Sequence, residues 1–142
     1  MSLEAFFKHY RNSYSRLDAA GIASHFTVPF TAIHQGELTG WQDMPSLLDT
    51  TAALLEWYRS QGFESASHRL VNVMAMGPGV ATALVAWTVQ RTQGRPPWRY
   101  HTGYHLKQVN GVWKIYGLVQ YDTEPEQQTL ATKAPSPAHS AG

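Results

Sequence analysis

The chemistry open to this sequence runs on histidine and tyrosine. It contains no cysteine, which removes thiolate nucleophiles, disulfides and cysteine-ligated zinc or iron–sulfur sites together. Its carboxylates are unevenly placed. Residues 1–64 carry seven acids against four bases, whereas residues 65–121 carry Arg69, Arg91, Arg95, Arg99, Lys107 and Lys114 and no acid at all. A catalytic carboxylate is therefore expected from the first half of the chain. Seven histidines raise the question of a metal site, yet none stands in a His-x-His or His-Glu-x-x-His pattern. His101 and His105, four residues apart on a strand, are about 13 Å apart, too far to share one ion. No metal and no cofactor are expected.

The six bases of the second half are dispersed among strand residues and accompany no nucleic-acid motif, so they read as solvated outer faces, with no nucleic-acid partner. The opening MSLEAFFKHY mixes an acid and bases without a long apolar run, so it reads as neither a signal peptide nor a membrane span. A cytoplasmic protein with no membrane partner is the simplest expectation. With 142 residues, 43% of them hydrophobic and 15% charged, the chain has enough apolar material for one core.

The elements that must position any reactive side chain follow from periodicity. Leu3, Phe6, Phe7, Tyr10, Tyr14 and Leu17 recur at three- and four-residue steps and predict a first helix. Asp18 is placed to cap a short second helix over 19–25, and Pro29 lies beyond it. Val28 to His34 and Glu37 to Gly40, joined through Gly36, predict a bent hairpin. Asp43 and Pro45 open a third helix whose stripe, Leu47, Leu48, Thr51, Leu54, Leu55 and Tyr58, runs to Gly62. Strand-like segments near 64–76, 79–92, 98–109 and 112–121 then read as an antiparallel meander, its last turn at Asn110-Gly111. Residues 1–122 form the expected domain. Residues 123–142, rich in Pro, Ala, Ser, Thr and Gln, read as a flexible tail.

Alternation along the strands predicts their faces. Ala81, Ala83, Val85, Trp87 and Val89 share one apolar face, as do Trp98, Tyr100, Thr102, Tyr104 and Leu106. Arg99, His101, His105 and Lys107 take the wetter side of their strand. In the last strand the pattern assigns Trp113, Ile115, Gly117, Val119 and Tyr121 to the apolar face. One concave face is thus rich in large rings.

This order of elements resembles the nuclear transport factor 2-like superfamily over residues 3–121. The specific likenesses are Phe6-Phe7-x-x-Tyr10, Asp18-Ala19-Ala20-Gly21-Ile22-x-x-x-Phe26 and Asn110-Gly111-Val112-Trp113-Lys114-Ile115. The resemblance implies an α+β fold, a cone-shaped, curved, mostly antiparallel sheet wrapped round three N-terminal helices (a cystatin-like α+β barrel). It also implies a homodimer formed through the outer face of the sheet. Members of the superfamily include ketosteroid isomerase, polyketide cyclases, scytalone dehydratase and non-catalytic association domains, so the fold alone does not choose a function.

Within that resemblance, the ketosteroid isomerase pattern places its oxyanion-donating tyrosine on Tyr10 and its base on His34. Its third element, an acidic donor on the sheet, falls near Thr102 or Tyr104, where no acid stands. Each residue also has a plainer reading: His34 as hydrogen-bonded filler beside an apolar strand, Tyr10 as a core phenol. Tyr14, Phe30, Trp41, Tyr58, Trp87, Tyr100 and Tyr104 are candidate ligand contacts or ordinary core, and Trp41 is a lid or a staple. The expected partner is a small apolar organic ligand, cyclic or polyketide-like, met by an isomerase, dehydratase or cyclase using His34 and Tyr10. The alternative is a non-catalytic ligand-sensing or association module with the same pocket.

Overall fold

The computed structural model describes residues 2–122; the expected tail, 123–142, lies outside them. Helix α1, Leu3–Ser15, starts where the Ser2 hydroxyl accepts from the Ala5 N–H at 3.1 Å, and it buries Phe6, Phe7 and Tyr10 on the predicted stripe. Helix α2, Ala19–Ala23, is capped by Asp18, whose carboxylate accepts from the Gly21 N–H at 3.0 Å. Gly21 leaves room for this cap: a Cβ would stand 2.4 Å from the Asp18 carboxylate and 2.8 Å from the Ser13 hydroxyl, so a larger residue would displace those side chains. The helix stops two residues earlier than the sequence predicts. The Ser24 hydroxyl bonds back to the Gly21 carbonyl, and the His25 carbonyl already accepts from Ile115 N–H in the sheet.

Strand β1, Phe26–His34, turns through Gln35-Gly36, both at positive φ, into β2, Glu37–Trp41. Helix α3, Met44–Ser60, begins at Asp43, whose carboxylate takes the Ser46 N–H at 2.8 Å. That hydrogen bond holds the Asp43 carboxyl below the usual carboxylate range. Strands β3, Phe63–Ala75, β4, Val80–Arg91, β5, Trp98–Val109, and β6, Val112–Asp122, follow. The predicted Asn110-Gly111 turn joins the last two, with both residues in the left-handed region.

The sheet is an open, curved six-stranded layer in the order β2-β1-β6-β5-β4-β3. All neighbours are antiparallel except β1 and β6, which run parallel. That pairing brings the end of β1 beside the end of β6, with His34 opposite Gln120. The helices fill the concave side. Phe7, Ile22, Val85, Leu106 and Ile115 are fully enclosed there, each burial contributing roughly 1.5–3 kcal/mol relative to exposure.

One face assignment requires correction. Leu106 pairs with Ile115 but His105 pairs with Gly117, so Tyr116 is an extra residue in β6 and the register shifts across it. A one-residue insertion exchanges the faces of everything beyond it. Trp113 and Ile115 point inward as predicted, but past the bulge Leu118, Gln120 and Asp122 take the concave side instead of Gly117, Val119 and Tyr121. Gln120 is 5% exposed, while Tyr121 stacks on His101 across the outer face, ring centroids 5.4 Å apart.

Candidate functional site

The concave face gathers five of the predicted rings around one polar hole. Tyr10 and Tyr14 come from α1, Trp87 from β4, Tyr100 and Tyr104 from β5; with Thr102, Leu118, Gln120 and Ala66 they enclose a cavity of about 30 Å³. That volume suits a water molecule or two. The remaining interior is taken up by ring-to-ring packing: Tyr10 lies 5.7 Å from Tyr104 and 6.1 Å from Trp87, both edge-on, and Phe7 lies 5.1 Å from Tyr104.

The hydroxyls form a connected network. The Trp87 Nε1–H donates to the Tyr104 hydroxyl at 2.9 Å. Tyr104 is further hydrogen-bonded to Tyr10 and Thr102, and Tyr10 to Tyr14. Tyr58 and Tyr100 make a second hydroxyl pair. Burial raises the pKa of every phenol in this set; the neighbouring phenols add to the rise for Tyr10 and Tyr58, whereas at Tyr100 and Tyr104 the hydrogen bonds with Tyr58 and Tyr10 offset part of it. They are therefore neutral hydrogen-bond donors throughout the physiological range and cannot serve as bases there. The Gln120 Nε2 atom is buried in the same wall with no hydrogen-bond partner among the described residues.

His34 stands at the end of β1, half-buried, as the cross-strand neighbour of Gln120 and Glu37. Strand spacing places its backbone about 5 Å from that of Gln120. It does not line the small cavity itself. Beside it is a residue the sequence reasoning missed. Asp122 is the last residue of β6, pairs with Tyr100, and faces inward because of the bulge at Tyr116. Residues 65–121 carry no acid, but β6 runs one residue further than the sequence predicts and so places a carboxylate at the open end of the sheet. The Gln35 Nε2 atom donates to Asp122 Oδ1 at 3.5 Å. The signal available in the sequence was Asp122 itself, one residue beyond the expected strand end.

The other predicted contacts sit outside the cavity wall. Phe30 stacks on Phe26 at 4.7 Å and meets Trp41 at 5.7 Å. Trp41 Nε1–H donates to the Thr50 hydroxyl on α3, so this ring fastens β2 to the helix. Tyr58 packs against Phe63, Trp98 and Tyr14.

A larger groove of about 430 Å³ lies between α1, α2 and the start of β6, lined by His9, His25, Trp113 and Lys114 among others. It contains none of the predicted site residues. Its polar groups close a seam: His25 Nδ1–H donates to the Gly21 carbonyl at 2.8 Å, and Lys114 Nζ donates to the Ser24 carbonyl. Among the described residues no cluster of three or more metal-ligating side chains occurs, and no helix is long and apolar enough to cross a membrane.

The fold is shared widely among solved structures. An NTF-2-like protein of unknown function from Shewanella oneidensis superposes with a TM-score of 0.70 at 14% identity, covering 84% of this chain and 96% of that one. A domain of unknown function with a cystatin-like fold from Nostoc punctiforme gives 0.69 at 16% identity, covering 89% and 79%. A ketosteroid isomerase-like protein from Erwinia carotovora atroseptica gives 0.67 at 15% identity, covering 84% and 92%. A search of the curated proteins finds no match. At these identities the superpositions establish the α+β cone alone. The sequence of residues 2–123 matches a family model described as NTF2-like protein (DUF6841), and the chain belongs to that family.

Proposed function

We propose that the protein binds a small organic molecule by a carbonyl or enolate oxygen inside the cone and moves a proton on it, as an isomerase, dehydratase or cyclase does. The observation that carries this reading is the network from Trp87 through Tyr104 and Tyr10 to Tyr14, which surrounds a polar hole with neutral phenols. Hydrogen-bond donors fixed before the reaction, in a site shielded from water, stabilise an oxygen on which negative charge develops. Tyr10 and Tyr104 are the donors in this reading. His34 is the base, and Asp122, at the same open end of the sheet, is the carboxylate that orients it or shares its role. A ligand larger than a water enters by displacing Tyr14, which is only half-buried whereas Tyr10, Tyr100 and Tyr104 are buried.

The small size of the cavity favours a second reading, a ligand-sensing or association module in which the rings are core and no reaction occurs. One experiment separates the two. Ultraviolet difference spectra are recorded as phenols of graded acidity are added to the protein and to its Tyr10→Phe and His34→Gln variants. The oxyanion site ionises the more acidic phenols on binding. Tyr10→Phe weakens that binding by about tenfold to a hundredfold, the worth of a hydrogen bond to a charged group. His34→Gln leaves binding within about threefold but abolishes deuterium exchange into a bound ketone, a proton-transfer step that a positioned base accelerates by about 10²–10⁴. If no phenol ionises on the protein, or if Tyr10→Phe binds like the parent, the catalytic reading fails.

A further inference from the structure

The convex side of the sheet carries a second assembly of side chains, far more polar than a bare sheet face. On β3, β4 and β5 the register sets Ser67, Thr88 and Arg99 in one row across the strands and Arg69, Ala86 and His101 in the next. All six share the face opposite Ala66, Val85, Val89, Tyr100 and Thr102, which are buried in the core. Together with the intervening His68 and Trp87 they line a depression of about 300 Å³. Its floor is low because Ala86 stands between Arg69 and His101, whose backbones are separated by two strand spacings, about 10 Å.

The electrostatics of this depression are one-signed. No Asp or Glu exists in residues 65–121, and the one carboxylate on β3, β4 or β5, Glu64 at the start of β3, is not among the residues that line the depression. Both Arg69 and Arg99 are exposed, and neither has an ion-pair partner among the described residues. His101 is stacked flat on Tyr121, which fixes its ring. Its Nδ1 atom is buried without a hydrogen-bond partner among the described residues. Burial, and then Arg69, hold this imidazole below its ordinary pKa. With Nδ1 buried, Nε2 is the ring nitrogen left to meet a ligand, and in the tautomer protonated there it donates.

We propose that this depression is a binding site for the phosphate group of a small phosphate monoester, held between Arg69 and Arg99 over Ala86, with His101, Ser67 and Thr88 supplying the remaining donors. The donor geometry selects a tetrahedral dianion over a carboxylate. Two guanidinium forks on diagonal corners, an imidazole and two hydroxyls reach the centre from several directions, whereas a planar carboxylate uses donors in one plane. The volume leaves room for an organic group attached to the phosphate. This site lies on the opposite side of the sheet from the tyrosine network and stands independently of the function proposed for the interior.

The test is a titration of the full chain, at low ionic strength, with methyl phosphate and inorganic phosphate, followed by calorimetry and by amide shifts of labelled protein. Acetate and methyl sulfate serve as planar and singly charged controls. The expected result is saturable binding of methyl phosphate, tighter than either control, with shifts confined to the amides around Ser67, Ala86 and His101. Arg69→Ala and Arg99→Ala, both at exposed positions, each weaken it at least about tenfold, the scale of a lost charge-assisted hydrogen bond. Ala86→Leu keeps every charge but fills the floor and weakens it equally, and Lys107→Ala, elsewhere on the same strand as Arg99, does not. Sedimentation of the same samples reports the oligomeric state. The proposal is overturned if methyl phosphate and acetate bind alike, if Ala86→Leu and both arginine variants bind like the parent, or if the protein is a dimer whose depression takes up no phosphate.

Discussion

The Trp87 indole N–H donates to the Tyr104 hydroxyl at 2.9 Å, between adjacent strands and wholly inside the core. Each residue is 3% exposed, so bulk water reaches neither partner and only the small cavity beside them has room for a replacement. The bond therefore fixes the Tyr104 hydroxyl where Tyr10 and Thr102 also reach it, and it anchors the polar network to the rigid centre of the sheet.

Tyr104→Phe leaves the Trp87 N–H buried and unpaired and costs about 1–3 kcal/mol, read as a lower urea midpoint at constant slope. Trp87→Phe removes the donor and also part of a large ring, so it costs more. The double variant loses less than the sum of the two, because the second change relieves the orphan that the first creates. Strict additivity would show that the bond contributes nothing.

Alkaline titration reports on the same network. Tyr10, Tyr14, Tyr58, Tyr100 and Tyr104 all have folded pKa values above the ordinary 10.0, with burial the largest cause in each. A folded pKa above the unfolded one means that the native state holds its protons longer. Stability is then full below pH 10 and falls as pH rises above it, by up to about 1.4 kcal/mol per pH unit for each phenol. With five phenols drawing in the same direction, unfolding above pH 10 is steep. Phenolate absorbance and circular dichroism are expected to change together for these five. Ionisation near pH 10 with the circular dichroism unaltered would contradict the buried network.

Much of this arrangement is legible in the residues. Ala81 to Val89 and Trp98 to Leu106 alternate without interruption, and every inward position predicted on those two strands is buried. On α1 the predicted stripe holds at Phe6, Phe7 and Tyr10, while Leu3 and Tyr14 are half-buried and Leu17 lies beyond the helix end at positive φ. The end of β6 is not legible, because Gly117, Val119 and Tyr121 continue an unbroken alternation from Ile115 and only the backbone records that Tyr116 is an extra residue. Gln120 and Asp122 were hidden by that slip. The parallel pairing of β1 with β6, which sets His34 beside Gln120, is likewise a long-range choice that no local pattern encodes. Nor does a list of large rings tell how much space remains among them: it takes the mutual contacts of Tyr10, Trp87 and Tyr104 to show that they leave about 30 Å³.

Gln120 offers the sharpest separation of stability from function. Its Nε2 atom is buried in the cavity wall without a hydrogen-bond partner among the described residues, although the side chain is flanked by Thr102 and by the phenols. An unpaired buried N–H costs about 1–3 kcal/mol, and a fold selected for stability alone would place an apolar side chain there. Gln120→Leu removes that cost at nearly the same volume, and is expected to raise stability by about 1 kcal/mol, or the melting temperature by about 4 °C. If the amide is retained to meet a ligand oxygen, the same variant binds acidic phenols at least about tenfold less tightly, a trade of activity against stability. A variant that is less stable than the parent would mean that Gln120 is already satisfied by a bound water in the cavity, and that its role is structural.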